Sequence, residues 1–199
     1  GEEFGSPRLF SERNFGALVS ASYPFDRFRR VEVGLMQMFV ERTFFDPESF
    51  AEAGRQYRSV SAPTFSWVGD NTLFGYYGPV NGQRFNLSLS PSFSWFSNGL
   101  SYRTATLDAR RYWDFTHGYS FAARFLGGVS GGRDPQSFQV GGFSTVRGYP
   151  DFDTHGSRIA IVNAEARSPF IQQLGLVGPV PLGVFNLRGA GFLDLGLAW

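Results

Sequence analysis

The chain has 199 residues, of which 18% are aromatic, and its formal net charge of +1 gives no sign of the basic surface used for nucleic-acid binding. It contains no cysteine, which excludes a disulfide framework and a thiolate site, and all of its 18 basic residues are arginine. No run of 18 or more apolar residues occurs, so the sequence predicts no transmembrane helix.

The first half of the chain contains three predicted strands, because apolar and polar residues alternate with a period of two. The first two cover 15–23 and 31–39 and are joined by a turn at 24–27. The third covers about 58–69, where Pro63 argues against a regular position in a central ladder. Residues 43–56 are predicted as a loop, and the glycine-rich segment 70–82 as a turn region.

The second half alternates more strictly and adds five predicted strands, which cover 83–95, about 104–113, 119–130, 160–167 and 187–199. A Gly/Pro-rich link at 175–183 precedes the last of them. One face carries Phe85, Leu87, Leu89, Leu107, Leu193, Leu195 and Leu197; the other carries Arg84, Asn86, Ser88, Asp108, Glu165 and Asp194. The sequence therefore predicts an all-β fold, an antiparallel meander of about eight strands.

Such a meander fits either a soluble barrel or sandwich, with the apolar face inside, or a membrane barrel, with that face in lipid. The polar face consists of Ser, Asn, Thr and Gly with few charges and no Lys, unlike most water-exposed faces. Aromatic residues near strand ends are typical of the girdles of outer-membrane barrels. These residues are Tyr23, Trp67, Trp95, Trp113, Tyr119 and Trp199. The pattern favours a transmembrane β-barrel, whose sheet must close because lipid tolerates no open edge.

The longest predicted loop runs from about 131 to 156 and is rich in Gly, Asp and Pro. Its centre is the tetrapeptide Val146, Arg147, Gly148 and Tyr149. Gly148 allows a tight turn, Arg147 carries a fixed charge with a planar set of donors, and Tyr149 adds an amphipathic ring. These four residues alone leave open a solvated loop with an incidental arginine.

Four sequence elements stand out, and they cover 70–72 with 82–85, then 107–112, then 141–149, and finally 191–196, which is preceded by 163–167. Together they resemble the carboxyl-terminal barrel of the BamA/TamA superfamily, also called the bacterial surface antigen family. The resemblance implies a barrel of sixteen strands, of which this chain covers about the sixth to the thirteenth. Both ends look cut, so we expect 1–199 to be one partial barrel domain. The segment 74–79 looks like members whose barrel follows a TolB-like propeller.

In that family the long loop is extracellular in connectivity but folds into the lumen. The resemblance therefore implies that Arg147 points into the lumen. We expect it to meet Asp194 first and Glu165 second, since alternation places both acids on the polar face of the two strands after the loop.

The other polar residues give no strong sign of a chemical site. His117 and His155 fall in predicted turns, and a metal site needs more converging ligands. Asp151 and Asp153 alternate with His155, which suits a polar loop better than a cation site. No nucleophile elbow or phosphate loop occurs. We expect no catalytic, metal or cofactor-binding residues and no enzyme activity.

The resemblance implies a bacterial outer-membrane factor that assembles, inserts or translocates proteins. Its expected partners are outer-membrane lipid, unfolded client outer-membrane or secreted proteins, and periplasmic accessory modules missing from this chain, with no nucleic acid. One alternative is a barrel that anchors a fused enzyme or TolB-like propeller. Another is a simple pore or receptor. The domain that precedes the barrel in the full gene would separate assembly from anchoring.

Overall fold

The computed structural model describes residues 10–44, 55–76, 78–93, 99–115, 118–151, 153–176 and 182–199. These residues form strands and turns, and none of their segments is a helix long and apolar enough to cross a membrane. The long strands are β1 (Phe10–Pro24), β2 (Arg29–Phe44), β3 (Arg55–Asp70), β5 (Gly78–Pro91), β6 (Tyr102–Asp114), β7 (Ser120–Gly132), β10 (Arg158–Leu176) and β11 (Leu182–Ala198). The short strands are β4 (Leu73–Gly75), β8 (Phe138–Val140) and β9 (Thr154–Gly156).

The eight long strands form one antiparallel meander in the order β1-β2-β3-β5-β6-β7-β10-β11, which confirms the predicted fold class. In the described part of the chain, β1 and β11 are the two edges of this sheet and do not pair with each other. The long strands contain 13 to 19 residues. They are longer than the 9–11 residues that a tilted strand needs to cross a bilayer.

The register of the strands keeps two different faces apart across the whole sheet. Asn163 on β10, for example, stands opposite Arg124 on β7 and Asp194 on β11. We call the face that carries these three side chains the polar face. The other face is apolar and uncovered; its exposed side chains include Leu87, Leu89, Leu193, Leu195 and Leu197. This is the arrangement that the alternation predicts for strands in contact with lipid.

The segment 70–82 differs from its prediction as a turn region, because it contains β4 and the start of β5. The ladder between β3 and β5 continues past Asp70, since Asn71 N donates to Gln83 O at 3.0 Å and Gln83 N donates to Asn71 Oδ1 at 2.7 Å. Gly82 has a φ of +102° in this segment. Glycine adopts that angle without strain, so the pair bends here instead of ending.

Two residues that interrupt the strand pattern have clear positions in the sheet. Pro63 pairs with Leu35 of β2, but the ladder from β3 to β5 begins only at Phe65. Its missing N–H therefore falls outside the β3–β5 ladder, as expected for proline. Gln37 lies on the apolar face of β2 and accepts a hydrogen bond from Ser61 Oγ, so the amide oxygen has a partner there.

Two apolar clusters lie on the polar face, where loops cover the strands. One contains Val60, Ala62 and Tyr102 and lies where Phe93 N and Leu100 N donate to the backbone of β3. The other contains Val140, Val146, Ile159 and Ile161 and belongs to the candidate site. Trp95, His117 and most of the predicted links at 43–56 and 175–183 lie outside the described residues.

Candidate functional site

The loop between β7 and β10, residues 133–157, lies on the polar face of the sheet. The sequence predicts it as a loop from about 131 to 156, but β8 and β9 pair within it, with Gln139 opposite His155. Val140 and Val146 of this β7–β10 loop are buried against Ile159 and Ile161 of β10. Burial of four aliphatic side chains gives the loop a fixed position on the strands.

The turn at the centre of the loop is built from its glycines and Thr145. Gly142 N donates to Tyr149 O at 3.1 Å, and Thr145 Oγ1 bonds both to the N and to the O of Gly141. Gly148 has a φ of +88°, in the region that favours glycine. The turn therefore presents Arg147 toward the strands, while the side chain of Tyr149 stays exposed.

The guanidinium of Arg147 binds two carboxylates on neighbouring strands. Its Nε and Nη2 donate to Asp194 Oδ2 and Oδ1 at 2.7 and 2.9 Å, a bidentate pair. Its Nη1 donates to Glu165 Oε2 at 2.7 Å, and its backbone N donates to Asp194 Oδ2 at 3.1 Å. The structure thus brings Arg147, Asp194 and Glu165 together, with three of the four bonds on Asp194.

Asp194 is the buried member of this group, with 2% of its side chain exposed against 21% for Arg147. A carboxylate without water needs donors from the protein, and here the loop supplies most of them. The hydrogen bonds to Asp194 raise the pKa of Arg147 above its usual range. The charged guanidinium therefore attaches the loop to β11 through Asp194.

Two further residues contact Arg147 or its partner Asp194, and neither is among the site residues predicted from the sequence. Asn163 Nδ2 donates to Asp194 Oδ1 at 2.9 Å and to Thr145 O at 2.7 Å, joining strand and loop. The ring of Phe192 lies 3.8 Å from Arg147 Cζ in a cation–π contact. Phe192 offered a signal, since an aromatic residue at a polar-face position breaks the alternation.

A second attachment of the loop comes from β7. Arg124 Nη1 donates to Ser144 O at 2.9 Å, and its Nη2 binds Asp108 Oδ2 on β6 at 2.9 Å. Arg110 binds the same carboxylate through Nε and Nη2 at 2.9 and 2.8 Å. Because Asp108 holds Arg124 in place, the site extends over four strands, from β6 to β11.

The site has the geometry of a structural anchor. Within the described residues, no group of three or more His, Cys, Asp or Glu side chains could hold a metal ion. His155 lies on β9, and not in a turn as expected. Beside the arginines is a cavity of about 300 Å³, lined in part by Tyr112, Phe143 and Ser144.

A family model described as the Omp85 superfamily domain matches residues 3–199 of the chain. Among solved structures, the chain is similar to the crystal structure of BamA from Haemophilus ducreyi lacking POTRA domains 1–3, with a TM-score of 0.73 and 15% identity. The similarity covers 96% of this chain and 42% of that one, and at this identity it shows the fold alone. A comparison with curated proteins gives no match. The chain therefore belongs to the Omp85 superfamily, as part of a transmembrane β-barrel of the bacterial outer membrane.

Proposed function

We propose that the protein assembles or translocates other proteins at the outer membrane, and that the β7–β10 loop is the element of this chain that the activity needs. The observation that supports this proposal most strongly is that Arg147 forms salt bridges with both Asp194 and Glu165. A loop that served only as a solvated connection would not need its arginine bound to two strands and its valines buried beneath it.

The proposal assigns the polar face to the lumen of a sixteen-stranded barrel in which 1–199 forms one partial domain, about the sixth to the thirteenth strand. Unfolded client proteins and outer-membrane lipid are the proposed partners, with periplasmic modules outside this chain. No catalytic step is assigned to Val146, Arg147, Gly148, Tyr149, Glu165 or Asp194. Their proposed role is to hold the β7–β10 loop in a fixed position inside the barrel.

The test is to replace the natural gene in the parent bacterium by one that encodes the full-length protein with Arg147→Ala. We expect the barrel still to migrate as a folded species on unheated gels, while the amounts of other outer-membrane proteins fall. Arg133→Ala is the matched control, because Arg133 lies in the same loop but bonds Asp134 and Gly99 O instead of the polar-face carboxylates.

Unchanged levels of every outer-membrane protein in Arg147→Ala would contradict the proposal. Loss of the surface display of a fused domain, with client levels intact, would favour anchoring. A change confined to ion conductance would favour a pore.

A further inference from the structure

The β4–β5 hairpin, formed by Leu73–Gly75 and residues 78–81, lies at the opposite end of the strands from the β7–β10 loop. It extends the β3–β5 pair beyond Asp70 and bends at Gly82. A Cβ at position 82 would meet the backbone of Asn71 and Thr72, so only glycine allows this close approach. The bend therefore fixes the direction of the hairpin.

The hairpin reaches a strand that is not its neighbour in the sheet. Arg167 Nη1 of β10 donates to Pro79 O at 2.9 Å. Strands β6 and β7 lie between β5 and β10, a separation of roughly 14 Å in the plane of the sheet at about 4.8 Å per strand. An arginine cannot reach that far within the plane, so the hairpin must fold across the polar face.

The burial of the intervening strands agrees with this path. Gly82 stands opposite Tyr112 on β6, and Tyr112 stands opposite Ala122 on β7. Tyr112 and Ser120, both on the polar face near this row, are only 9% and 5% exposed. Polar-face side chains this buried need a cover, and the hairpin lies in the position to provide it.

Arg167 shares one carboxylate with the loop. Its Nε donates to Glu165 Oε1 at 2.7 Å, while Arg147 Nη1 donates to Glu165 Oε2 at 2.7 Å. Each oxygen of Glu165 thus serves one arginine. One of these arginines holds the β7–β10 loop, and the other holds the β4–β5 hairpin.

We propose that Arg167 is a positioning residue that holds the β4–β5 hairpin across the polar face, and that Glu165 is the shared support of hairpin and loop. Losing Glu165 weakens both elements, because Arg167 loses the carboxylate that orients its guanidinium and Arg147 keeps only its bonds to Asp194. Losing Arg167 releases the hairpin alone. This coupling is independent of the proposed function, since it depends only on the positions of the two elements.

The test uses nitroxide labels on the full-length protein in lipid vesicles. The chain has no cysteine, so Leu73→Cys labels the hairpin and Phe143→Cys labels the loop at single sites of this chain. Both positions are exposed, at 62% and 90%. Arg167→Gln should raise the mobile fraction at position 73 by at least about ten-fold, the lower end of the ratio for losing one hydrogen bond to a charged group. Position 143 should stay unchanged.

Glu165→Ala should raise the mobile fraction at both positions, and more at position 73 than at position 143, because Arg147 keeps its bidentate pair with Asp194. Combining it with Arg167→Gln should add nothing at position 73, because the two changes break the same connection. Arg111→Gln is the control, since Arg111 bonds the Gln83 side chain next to the same hairpin but on the apolar face. The proposal is overturned if Arg167→Gln leaves position 73 unchanged, if Arg111→Gln mobilises it equally, or if Glu165→Ala moves only the loop label.

Discussion

Gly196 of β11 lies directly beneath Val146 of the β7–β10 loop. A Cβ at position 196 would overlap a methyl group of Val146 and come within 3.0 Å of Val140. Gly196 also stands opposite Ile161, the most buried large side chain among the described residues. The absence of a side chain on β11 therefore makes the space into which the loop packs.

Gly196→Ala should push the loop away from the sheet, because the added methyl overfills a closed contact. Overpacking of this kind costs about 1–3 kcal/mol. Limited proteolysis of the loop and thermal unfolding of the full-length protein measure the effect. Gly191→Ala is the control, since Gly191 lies on the same strand and a Cβ at this position would meet nothing within 4 Å. Equal behaviour of the two variants would exclude close packing at Gly196.

Arg147→Ala should destabilise the loop more than the loss of an ordinary surface ion pair would. It leaves Asp194 buried without its main donor, and breaking a buried pair in this way costs about 3 kcal/mol. Arg147→Lys should fall between, because lysine keeps the charge but cannot form the bidentate pair. Denaturant titration followed by a label in the loop gives the comparison. A lysine variant as stable as the unsubstituted protein would show that the bidentate geometry at Asp194 is unimportant.

Arg124→Ala should loosen the loop at Ser144, while Arg110→Ala should not. Both arginines bind Asp108, but only Arg124 also bonds the loop backbone. Losing this charged hydrogen bond should cost about 1.5–3 kcal/mol of local stability. Hydrogen exchange at residues 143–146 measures it. The same increase in both variants would assign the effect to Asp108 and not to the bond with Ser144.

Leu87→Arg should impair insertion into membranes, because Leu87 projects from the apolar face. Arginine on the lipid side of a barrel costs about 2–4 kcal/mol near the middle of the bilayer. Ser90→Arg on the polar face of the same strand should be tolerated, since that face does not contact lipid. The fraction of folded barrel after refolding into vesicles compares the two. Better folding of Leu87→Arg would reverse the assignment of the faces.

The strands and their two faces could be predicted from the sequence, because alternation is a local property of each segment. The register decides which residues of neighbouring strands stand opposite each other, as Asn163 and Asp194 do. The sequence of a single strand does not determine that register. Ile159 and Ile161 gave an unused signal: they alternate with Ala160 and Val162, so both faces of β10 are apolar there. Such a stretch predicts a cover on the polar face, and the loop provides it.

The β4–β5 hairpin could not be predicted in this way, since its glycines and Pro79 are typical of turns. Its pairing depends on the Asn71–Gln83 contacts and on the bend at Gly82. The expectation that the β7–β10 loop folds inward depended on the family resemblance and not on the sequence of the loop. A loop sequence with a suitable arginine is compatible with a position inside or outside a barrel.

The position of the loop on β11 is tested most directly by a disulfide between Val146→Cys and Gly196→Cys in the full-length protein. Val146→Cys removes the methyl group that a Cβ at position 196 would overlap, so the two β-carbons can take the separation of about 3.5–4.5 Å that a disulfide needs. We expect rapid crosslinking on mild oxidation in membranes, seen as a reducible shift in gel mobility, and no crosslink between Val146→Cys and Gly191→Cys on the apolar face. The account is contradicted if 146 and 196 stay unlinked under oxidation while maleimide labels both cysteines.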